Sequence, residues 1–320
     1  MINLYNDLNT HLRERFGERV QRIPIDAGFS CPNRDGTIGT GGCIYCSPRG
    51  SAAGMADRLL SVTEQLERGM DAARARYRAK RFIAYFQAFT NTYLNSKFKI
   101  KNLKLEDIYQ PALEHPDVVG LAVGTRPDCL PDETIELFAE IAKTKLVWLE
   151  LGLQSSHDQT LQLINRGHKY AQFIHTVHKI TNYQLSITNN LQTGLEIVVH
   201  VIFGLPGETK EMMLETIRRL ASLGINGIKI HLLHVVQGTE LERQYQLGKI
   251  PLLKQEEYVG LVCDALELLP EHVVIHRLTG EASPVKLVAP DWACDKQAVL
   301  QNIQSELVRR GTRQASKFTQ

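Results

Sequence analysis

The chain has 320 residues, of which 43% are hydrophobic and 22% are charged, and its formal net charge is +2. Its longest apolar runs are interrupted by charged residues or glycine well before the roughly 20 residues that a membrane-spanning helix needs, which excludes a membrane-spanning protein. The amino terminus mixes acidic and basic residues and lacks the apolar core of a signal peptide, so we expect a mature cytoplasmic protein.

Helix-type and strand-type patterns alternate along most of the chain. Between residues 61 and 77, for example, apolar residues recur at helical spacing. We predict helices at 3–16, 61–77, 104–115, 132–143, 156–166, 170–182 and 209–222. We predict strands at 20–25, 82–89, 118–124, 146–153, 195–203 and 227–234. Such an alternation indicates a parallel sheet whose connections are right-handed crossovers.

The last part of the chain has a different pattern. It is predicted to contain a helix at 255–269, one strand at 273–276 and a final helix at 295–310. We therefore divide the chain into a core at 1–240, which includes the amino-terminal helix, and an α/β extension at 241–320 that closes the core.

Three of the six cysteines lie close together in the segment CPNRDGTIGTGGCIYC, at Cys31, Cys43 and Cys46. A [4Fe-4S] cluster takes one thiolate on each iron, so three cysteines leave one iron open to a small molecule. A structural zinc would need a fourth ligand nearby, and the nearest upstream histidine, His11, lies in a predicted helix. A disulfide is disfavoured because three is odd and the chain has no secretory segment. The cluster is favoured, with zinc and unligated cysteines as the alternatives.

The pair Cys43 and Cys46, with Tyr45 before the last cysteine, resembles the signature of radical S-adenosylmethionine (radical SAM) enzymes. Eleven residues separate Cys31 from Cys43, a longer spacer than that of the commonest pattern in the superfamily. Longer spacers occur in the branch of the Elp3 tRNA-modifying enzymes. The whole chain resembles the YhcC/YtqA family of that branch.

This resemblance implies a fold, two cofactors and a redox partner. The fold would be α/β, a partial (β/α)6 barrel of the TIM-barrel type with an amino-terminal helix and a carboxyl-terminal α/β extension. The cofactors would be a [4Fe-4S] cluster and S-adenosyl-L-methionine (SAM). The enzyme would receive electrons from a donor such as flavodoxin or ferredoxin and would cleave SAM reductively.

The fourth predicted strand carries an unusual carboxylate. Glu150 lies in the apolar run KLVWLELGL, where a buried charge is costly unless it is paired or bound to a ligand. The sequence ELGLQS followed by INRGH is similar to the pattern of HemN-like and Elp3-like radical SAM enzymes. The resemblance implies that Glu150, Gln154 and Arg166 contact the ribose and carboxylate of SAM. A structural ion pair between Glu150 and Arg166 is the alternative.

Three further strand ends supply candidate SAM contacts. Gln87 and Asn91 stand where relatives bind the amino group of methionine, although the usual Gly-Gly-Glu is absent and a plain turn is the alternative. Gly204, in FGLPGET, resembles the turn on the adenine side. His231 and His234 are expected on opposite faces of an extended segment, so that at most one lines the pocket. The predicted cofactor-binding residues are Tyr45, Gln87, Asn91, Glu150, Gln154, Arg166, Gly204 and His231, and the predicted cluster ligands are Cys31, Cys43 and Cys46.

The substrate predicted by the resemblance is the wobble uridine of tRNA. Basic residues are grouped at 74–81, 97–104 and 309–317, and such groups can bind a phosphate backbone, although they are more often solvated surface. No acetyltransferase domain is recognisable, so we expect radical tailoring of a uridine side chain and not acetyl transfer. The alternatives are a small metabolite as substrate and a non-catalytic cluster- or SAM-binding partner protein. Cys129, Cys263 and Cys294 receive no role.

Overall fold

Parallel strands form the main sheet of the protein. The structure is a computed structural model that describes residues 3–48, 50, 57, 59–95, 104–187, 194–280 and 286–319. The strands are β1 (Val20–Ile25), β2 (Arg81–Phe86), β3 (Val118–Thr125), β4 (Leu146–Gln154), β5 (Leu195–Phe203), β6 (Gly227–Leu232), β7 (Val235–Val236), β8 (Val274–Arg277) and β9 (Leu287–Ala289). In the described part of the chain, seven of them pair in the order β1-β2-β3-β4-β5-β6-β8, and β7 pairs with β9 in a small antiparallel ribbon.

Helices follow most of these strands and cover the outer face of the sheet. They are α1 (Leu8–Phe16), α2 (Val62–Tyr77), α3 (Leu105–Leu113), α4 (Asp132–Ile141), α5 (Asp158–Leu163), α6 (Tyr170–Ile187), α7 (Lys210–Ala221), α8 (Glu240–Gln246), α9 (Gln255–Leu268) and α10 (Lys296–Arg310). The predicted α/β class and partial barrel are confirmed, since the parallel sheet curls into a half-barrel with its helices outside.

The strand predicted at 273–276 has a different place from the one expected. It is β8, and it pairs in parallel with β6, with Gly227 opposite Val274, so it is the seventh strand of the main sheet. The amide of Ile275 donates to the carbonyl of Asn6 at 2.8 Å, which covers the outer edge of β8. The main sheet thus extends past residue 240, and the division of the chain there stays a prediction.

Helix α1 closes the amino-terminal end of the half-barrel. The Asp7 side chain caps this helix by accepting from the amides of Asn9 and Thr10, each at 3.1 Å. Leu12 then packs inside the sheet in an apolar layer with Trp148. Burying a large apolar side chain contributes about 1.5–3 kcal/mol to stability, so Leu12 helps to hold α1 against the inside of the half-barrel. The layer also contains Val20, Ile83, Tyr85, Ala122, Leu146 and Val198.

The outer helices pack closely on the sheet. In α2, Leu66, Met70 and Ala73 recur at helical spacing and are buried in the main core. Gly69 lies on the same helix where it meets β1, and a Cβ at this position would be 2.3 Å from Cγ2 of Ile23. The glycine therefore permits the close approach. No helix in the described residues is long and apolar enough to cross a bilayer.

Candidate active site

A cavity of about 870 Å³ opens at the carboxyl edge of the sheet. Its volume lies within the range of about 300–1,000 Å³ that is usual for ligand sites. Cys31, Cys43 and Cys46 form one wall, and side chains from β2, β4, β5, β6 and β8 form the others. In parallel α/β folds this edge is where ligands bind.

The cysteine loop follows β1 and is held in shape by its own backbone. The amide of Arg34 donates to the carbonyl of Cys31 at 2.8 Å, and the amide of Cys46 donates to Cys43 at 3.0 Å. The Arg34 guanidinium also donates to the carbonyls of Cys46 and Ser47, at 2.8 and 2.7 Å. The cysteines are therefore positioned by a folded loop.

A second set of bonds ties this loop to the segment after α5. Asn33 Nδ2 donates to the carbonyl of Asn165 at 2.6 Å, and Asn165 Nδ2 donates to the carbonyl of Gly42 at 2.7 Å. Gly42 and Gly167 both have a left-handed backbone, with φ of +80° and +75°, which glycine adopts without strain. The loop and the segment after α5 thus form one unit.

The donor set fits a multi-iron cluster. Among the residues that the structure describes, no three His, Cys, Asp or Glu side chains converge on a point where a single metal ion could sit. The three cysteines instead share a cavity wall, as ligands of separate irons would. Asn33 Nδ2 and Arg166 Nη1 lie 3.8 and 3.6 Å from Cys43 Sγ, and N–H donors to cluster sulfurs tune the reduction potential. Burial raises the pKa of the Cys46 thiol, and bound iron would offset this by favouring the thiolate.

Arg166 lies beside the cysteines but not beside the predicted carboxylate partner. Its Nη2 and Nε donate to the carbonyl of Gly152, at 2.5 and 3.2 Å. A Cβ at position 152 would be 2.6 Å from Arg166 Nη2, so this glycine makes room for the guanidinium. The alternative of a Glu150–Arg166 ion pair is wrong, because Glu150 has other partners.

Glu150 belongs to a buried polar layer above the apolar floor. Lys229 Nζ lies 2.6 and 2.5 Å from the two carboxylate oxygens, and His200 Nε2 lies 3.0 Å from Oε2. Lys229 also donates to the hydroxyl of Tyr85 at 3.0 Å. Tyr85 also makes a side-chain hydrogen bond to Glu150, so the carboxylate is held by three neighbouring side chains.

Charge in this layer is set by burial and by the ion pair. Burial alone would raise the pKa of Glu150, but Lys229 and His200 outweigh it and hold that pKa well below its usual range. Burial lowers the pKa of Lys229, and the charge of Glu150 opposes that shift. Burial and the nearby Lys229 lower the pKa of His200 to about 4, so the imidazole is neutral at pH 7.

Sequence reasoning missed Lys229, although a signal for it exists. Lys229 and His231 are two residues apart in β6 and share the inner face of the sheet. A lysine inside the apolar strand GIKIHL needs a partner, as Glu150 does in its own strand. Two buried opposite charges inside apolar strands of one sheet are therefore candidates for an ion pair.

Three other predicted cofactor residues, Tyr45, Gln87 and Gln154, lie on the cavity wall. Two do not. Asn91 is fully buried beneath the wall, where Nδ2 donates to the carbonyl of Gly124 at 2.8 Å. Gly204 has φ of +86° and shapes the turn after β5 outside the lining residues.

His231 in β6 and His234 after it both line the cavity, so the expectation that at most one would do so is wrong. The strand ends at Leu232, and the alternation of faces ends with it before His234. The His231 ring lies 5.2 Å from that of His200, centroid to centroid. Burial and the nearby His200 hold the pKa of His231 well below its usual range, and burial followed by the charge of Arg277 lowers that of His234 to about 4.

The basic groups do not gather around the cavity. Arg74 pairs with Asp117 at 2.9 Å, and Arg310 pairs with Asp264 at 2.7 Å. Helix α2 runs opposite to β2, so its carboxyl end and the group at 74–81 lie at the amino edge of the sheet. The amides of Ala315 and Lys317 donate to carbonyls at the end of α9, shortly before β8, so the group at 309–317 lies at the same edge. In the group at 97–104, only Lys104 lies within the described residues. The use of these groups as the RNA contact is therefore weakened by the fold.

The other three cysteines lie outside the cavity wall. Burial raises the pKa of Cys129 and of Cys263 to about 12, so both are thiols at neutral pH. Cys263 donates to the carbonyl of Ile303 at 3.6 Å between α9 and α10, and Cys294 is exposed. Substitutions at these cysteines can therefore serve as controls for substitutions at Cys31, Cys43 and Cys46.

The sequence matches the radical SAM superfamily over residues 35–220 and a radical SAM C-terminal domain over residues 225–309. It is 40% identical over 314 residues to the uncharacterized protein YtqA of Bacillus subtilis, covering 98% of this chain and 92% of the relative. It is 26% identical over 163 residues to a tRNA uridine(34) acetyltransferase of Methanocaldococcus infernus, covering 50% of this chain and 28% of the relative.

A solved structure has a similar fold. The archaeal Elp3 of Methanocaldococcus infernus superimposes with a TM-score of 0.67 at 16% identity. The match covers 92% of this chain and 64% of that one. The half-barrel and its extension therefore resemble this structure, and the resemblance to the YhcC/YtqA family is confirmed by the match to YtqA.

Proposed function

This chain belongs to the radical SAM superfamily, and we propose that it modifies the side chain of the wobble uridine of tRNA by hydrogen abstraction. As a member of the superfamily it is an enzyme that uses a [4Fe-4S] cluster and SAM. When bound, these cofactors supply a 5′-deoxyadenosyl radical, while the protein positions the substrate and excludes water.

The observation that carries the tRNA proposal is the charge of the cavity wall. Among the described lining residues Glu150 is the only carboxylate, and Lys229 neutralises it. Arg126 is likewise matched by Asp128, at 2.7 Å. The wall nevertheless stays positive, which suits a polyanion. Its other cations are Arg34, Arg166, Arg277 and Lys286.

The relatives support the same substrate class. Half of this chain aligns with an enzyme named for uridine 34 of tRNA. The match covers only 28% of that enzyme, so we transfer the nucleoside and not the acetyl-transfer step. A small anionic metabolite would also suit a positive cavity and becomes an outcome of the test.

The tRNA proposal predicts a strong salt response. We expect purified protein to bind bulk tRNA, with affinity falling steeply between about 50 and 200 mM salt because each phosphate contact releases counterions. Replacing both Arg277 and Lys286 by Gln should weaken binding and reduce the salt slope by about two. Filter binding across a salt series measures both quantities.

The matched control is Arg76→Gln with Arg78→Gln, two exposed arginines at the amino edge of the sheet. We expect this pair of changes to leave tRNA affinity nearly unaltered. Nucleoside mass spectrometry of total tRNA from a deletion strain is the decisive measurement. An unchanged wobble-uridine profile, together with salt-insensitive or undetectable tRNA binding, would favour a small metabolite.

We also propose that Tyr45, Gln87, Glu150, Gln154, Arg166 and His231 contact SAM, since all six line the cavity. For Arg166→Gln we expect retention of iron and weaker SAM binding, by about 1–3 kcal/mol, because a charge-assisted hydrogen bond is lost. Equilibrium dialysis with SAM in the absence of reductant gives the affinity.

Arg218→Gln, on the exposed side of α7, is the control for this change. It should bind SAM like the wild type. If Arg166→Gln also binds SAM like the wild type, the arginine serves only to hold Gly152 and the cysteine loop.

Reductive cleavage further requires an electron donor, for which we propose a flavodoxin or ferredoxin.

A further inference from the structure

Three residues form a part of the cavity that the cofactor contacts leave unused. His234 follows β6, Arg277 ends β8 and Lys286 precedes β9, and all three line the cavity. We call this set the anion pole. It belongs to the β6–β8 end of the sheet, whereas the cysteine loop follows β1 at the other end of the strand order.

We propose that the anion pole binds a negatively charged group of the substrate, a carboxylate or a phosphate. The proposal rests on the proposed function only in taking this cavity as the substrate site. The amino and carboxylate groups of SAM are assigned to the side of the cysteines and Arg166, so they do not account for a second set of cations.

His234 supplies a polar atom that needs a ligand. Its Nε2 is buried and has no hydrogen-bond partner within the described residues. A buried polar nitrogen without a partner costs about 1–3 kcal/mol, which a bound acceptor would offset. Gly280 makes the position of the ring possible, because a Cβ there would be 2.7 Å from Cε1 of His234.

Arg277 supplies the permanent charge. It pairs in register with Lys229 on the inner part of the sheet, and its charge acts on the neighbouring groups. After burial, the charge of Arg277 is the next cause that lowers the pKa of His234. A guanidinium presents several N–H donors in a plane and binds carboxylate or phosphate oxygens with two bonds.

Lys286 adds a second cation at the opening. Its side chain is exposed, while its carbonyl accepts from the amide of Gln237 at 2.9 Å, which fixes the backbone beside β7. No acidic residue among the described lining residues belongs to the pole. Two cations and an imidazole donor around one region therefore favour an anionic group over a neutral one.

Isothermal titration calorimetry on the reconstituted protein tests this proposal. The titrations use saturating SAM without reductant, so that SAM stays intact and fills its own site, and the probes are inorganic phosphate and acetate. We expect at least one probe to bind. Arg277→Gln should weaken that binding about tenfold or more, and Lys286→Gln about threefold, as expected for loss of a bond to a charged group.

Arg243→Gln is the matched control, because Arg243 is an exposed arginine of α8 that pairs only with Glu240 in the described structure. It should bind the probes like the wild type. Binding of phosphate alone identifies a phosphate subsite, binding of acetate alone a carboxylate subsite, and binding of both an unselective one; each supports the pole.

The proposal is overturned if neither probe binds, if Arg277→Gln binds like the wild type, or if Arg243→Gln weakens binding equally. Should Arg277→Gln fail to fold, as circular dichroism would show, His234→Gln and Lys286→Gln provide the same comparison. Anion binding together with an unchanged nucleoside profile would retain the pole and reject the wobble uridine, so the two failures are distinguishable.

Discussion

Replacement of Cys31 by Ala is expected to abolish the iron–sulfur cluster and all SAM cleavage. The reconstituted wild type should hold about four irons per chain, bound by three thiolates with one iron open. Removing one of three ligands leaves two, too few to retain a cluster that already lacks a fourth cysteine. Iron analysis, the absorbance of the cluster and the yield of 5′-deoxyadenosine under dithionite measure the effect.

Cys294→Ala is the matched control, because Cys294 is exposed and lies outside the cavity wall. It should keep the iron content and the cleavage rate of the wild type. A Cys31→Ala variant that still carries about four irons and cleaves SAM would show that Cys31 is not a ligand. The long spacer before Cys43 makes this the most informative of the three positions.

The sequence was sufficient to predict the alternating fold and the cysteine loop. Strands β1 to β6 follow from apolar runs at regular spacing, and three cysteines with one open coordination position follow from counting ligands. The seventh strand was assigned to an extension because a single short strand after a long helix does not by itself show which edge it joins. Pairing of Val274 with Gly227 is a long-range contact that local pattern does not contain.

The site was predicted less completely, because the contacts of its polar side chains depend on the tertiary structure. Asn91 carries a polar side chain at a strand end, but its amide is used by the carbonyl of Gly124 inside the fold. His234 reaches the cavity because β6 ends before it. Glu150 was recognised as an unusual buried carboxylate, but the ion pair considered as the alternative to a SAM contact was with Arg166, whereas the pair observed is with Lys229. Which charge meets which depends on how strands are placed side by side.

Lys229→Met is expected to destabilise the protein by about 3–5 kcal/mol, because it leaves the Glu150 carboxylate buried without its cation. The two groups are 1% and 0% exposed, so water cannot replace the lost partner. Urea denaturation at pH 8 measures the free energy of unfolding. Lys249→Met, an exposed lysine on the segment after α8, should change it by less than about 0.5 kcal/mol.

Adding Glu150→Gln to Lys229→Met separates a buried charge from a simple loss of packing. The double variant removes the unpaired carboxylate, so we expect it to be more stable than Lys229→Met alone, since replacing both members of a buried pair costs less than breaking it. A double variant that is less stable than the single one would show that Lys229 acts through packing and not through Glu150.

The pH dependence of Lys229→Met gives an independent check through His200, which lies 3.0 Å from Glu150. In the wild type, burial and then the charge of Lys229 lower the pKa of His200 to about 4. Without Lys229, the imidazole faces an unpaired carboxylate, and its folded-state pKa should rise above the unfolded value of about 6.5. Stability gained from that protonation is fully present below the unfolded pKa and is lost as pH rises through the folded pKa. The free energy of unfolding of Lys229→Met should therefore be closer to that of the wild type at pH 6 than at pH 8. Adding His200→Gln should remove this dependence on pH. An equal loss of stability at both pH values would mean that His200 does not replace Lys229 as the partner of Glu150.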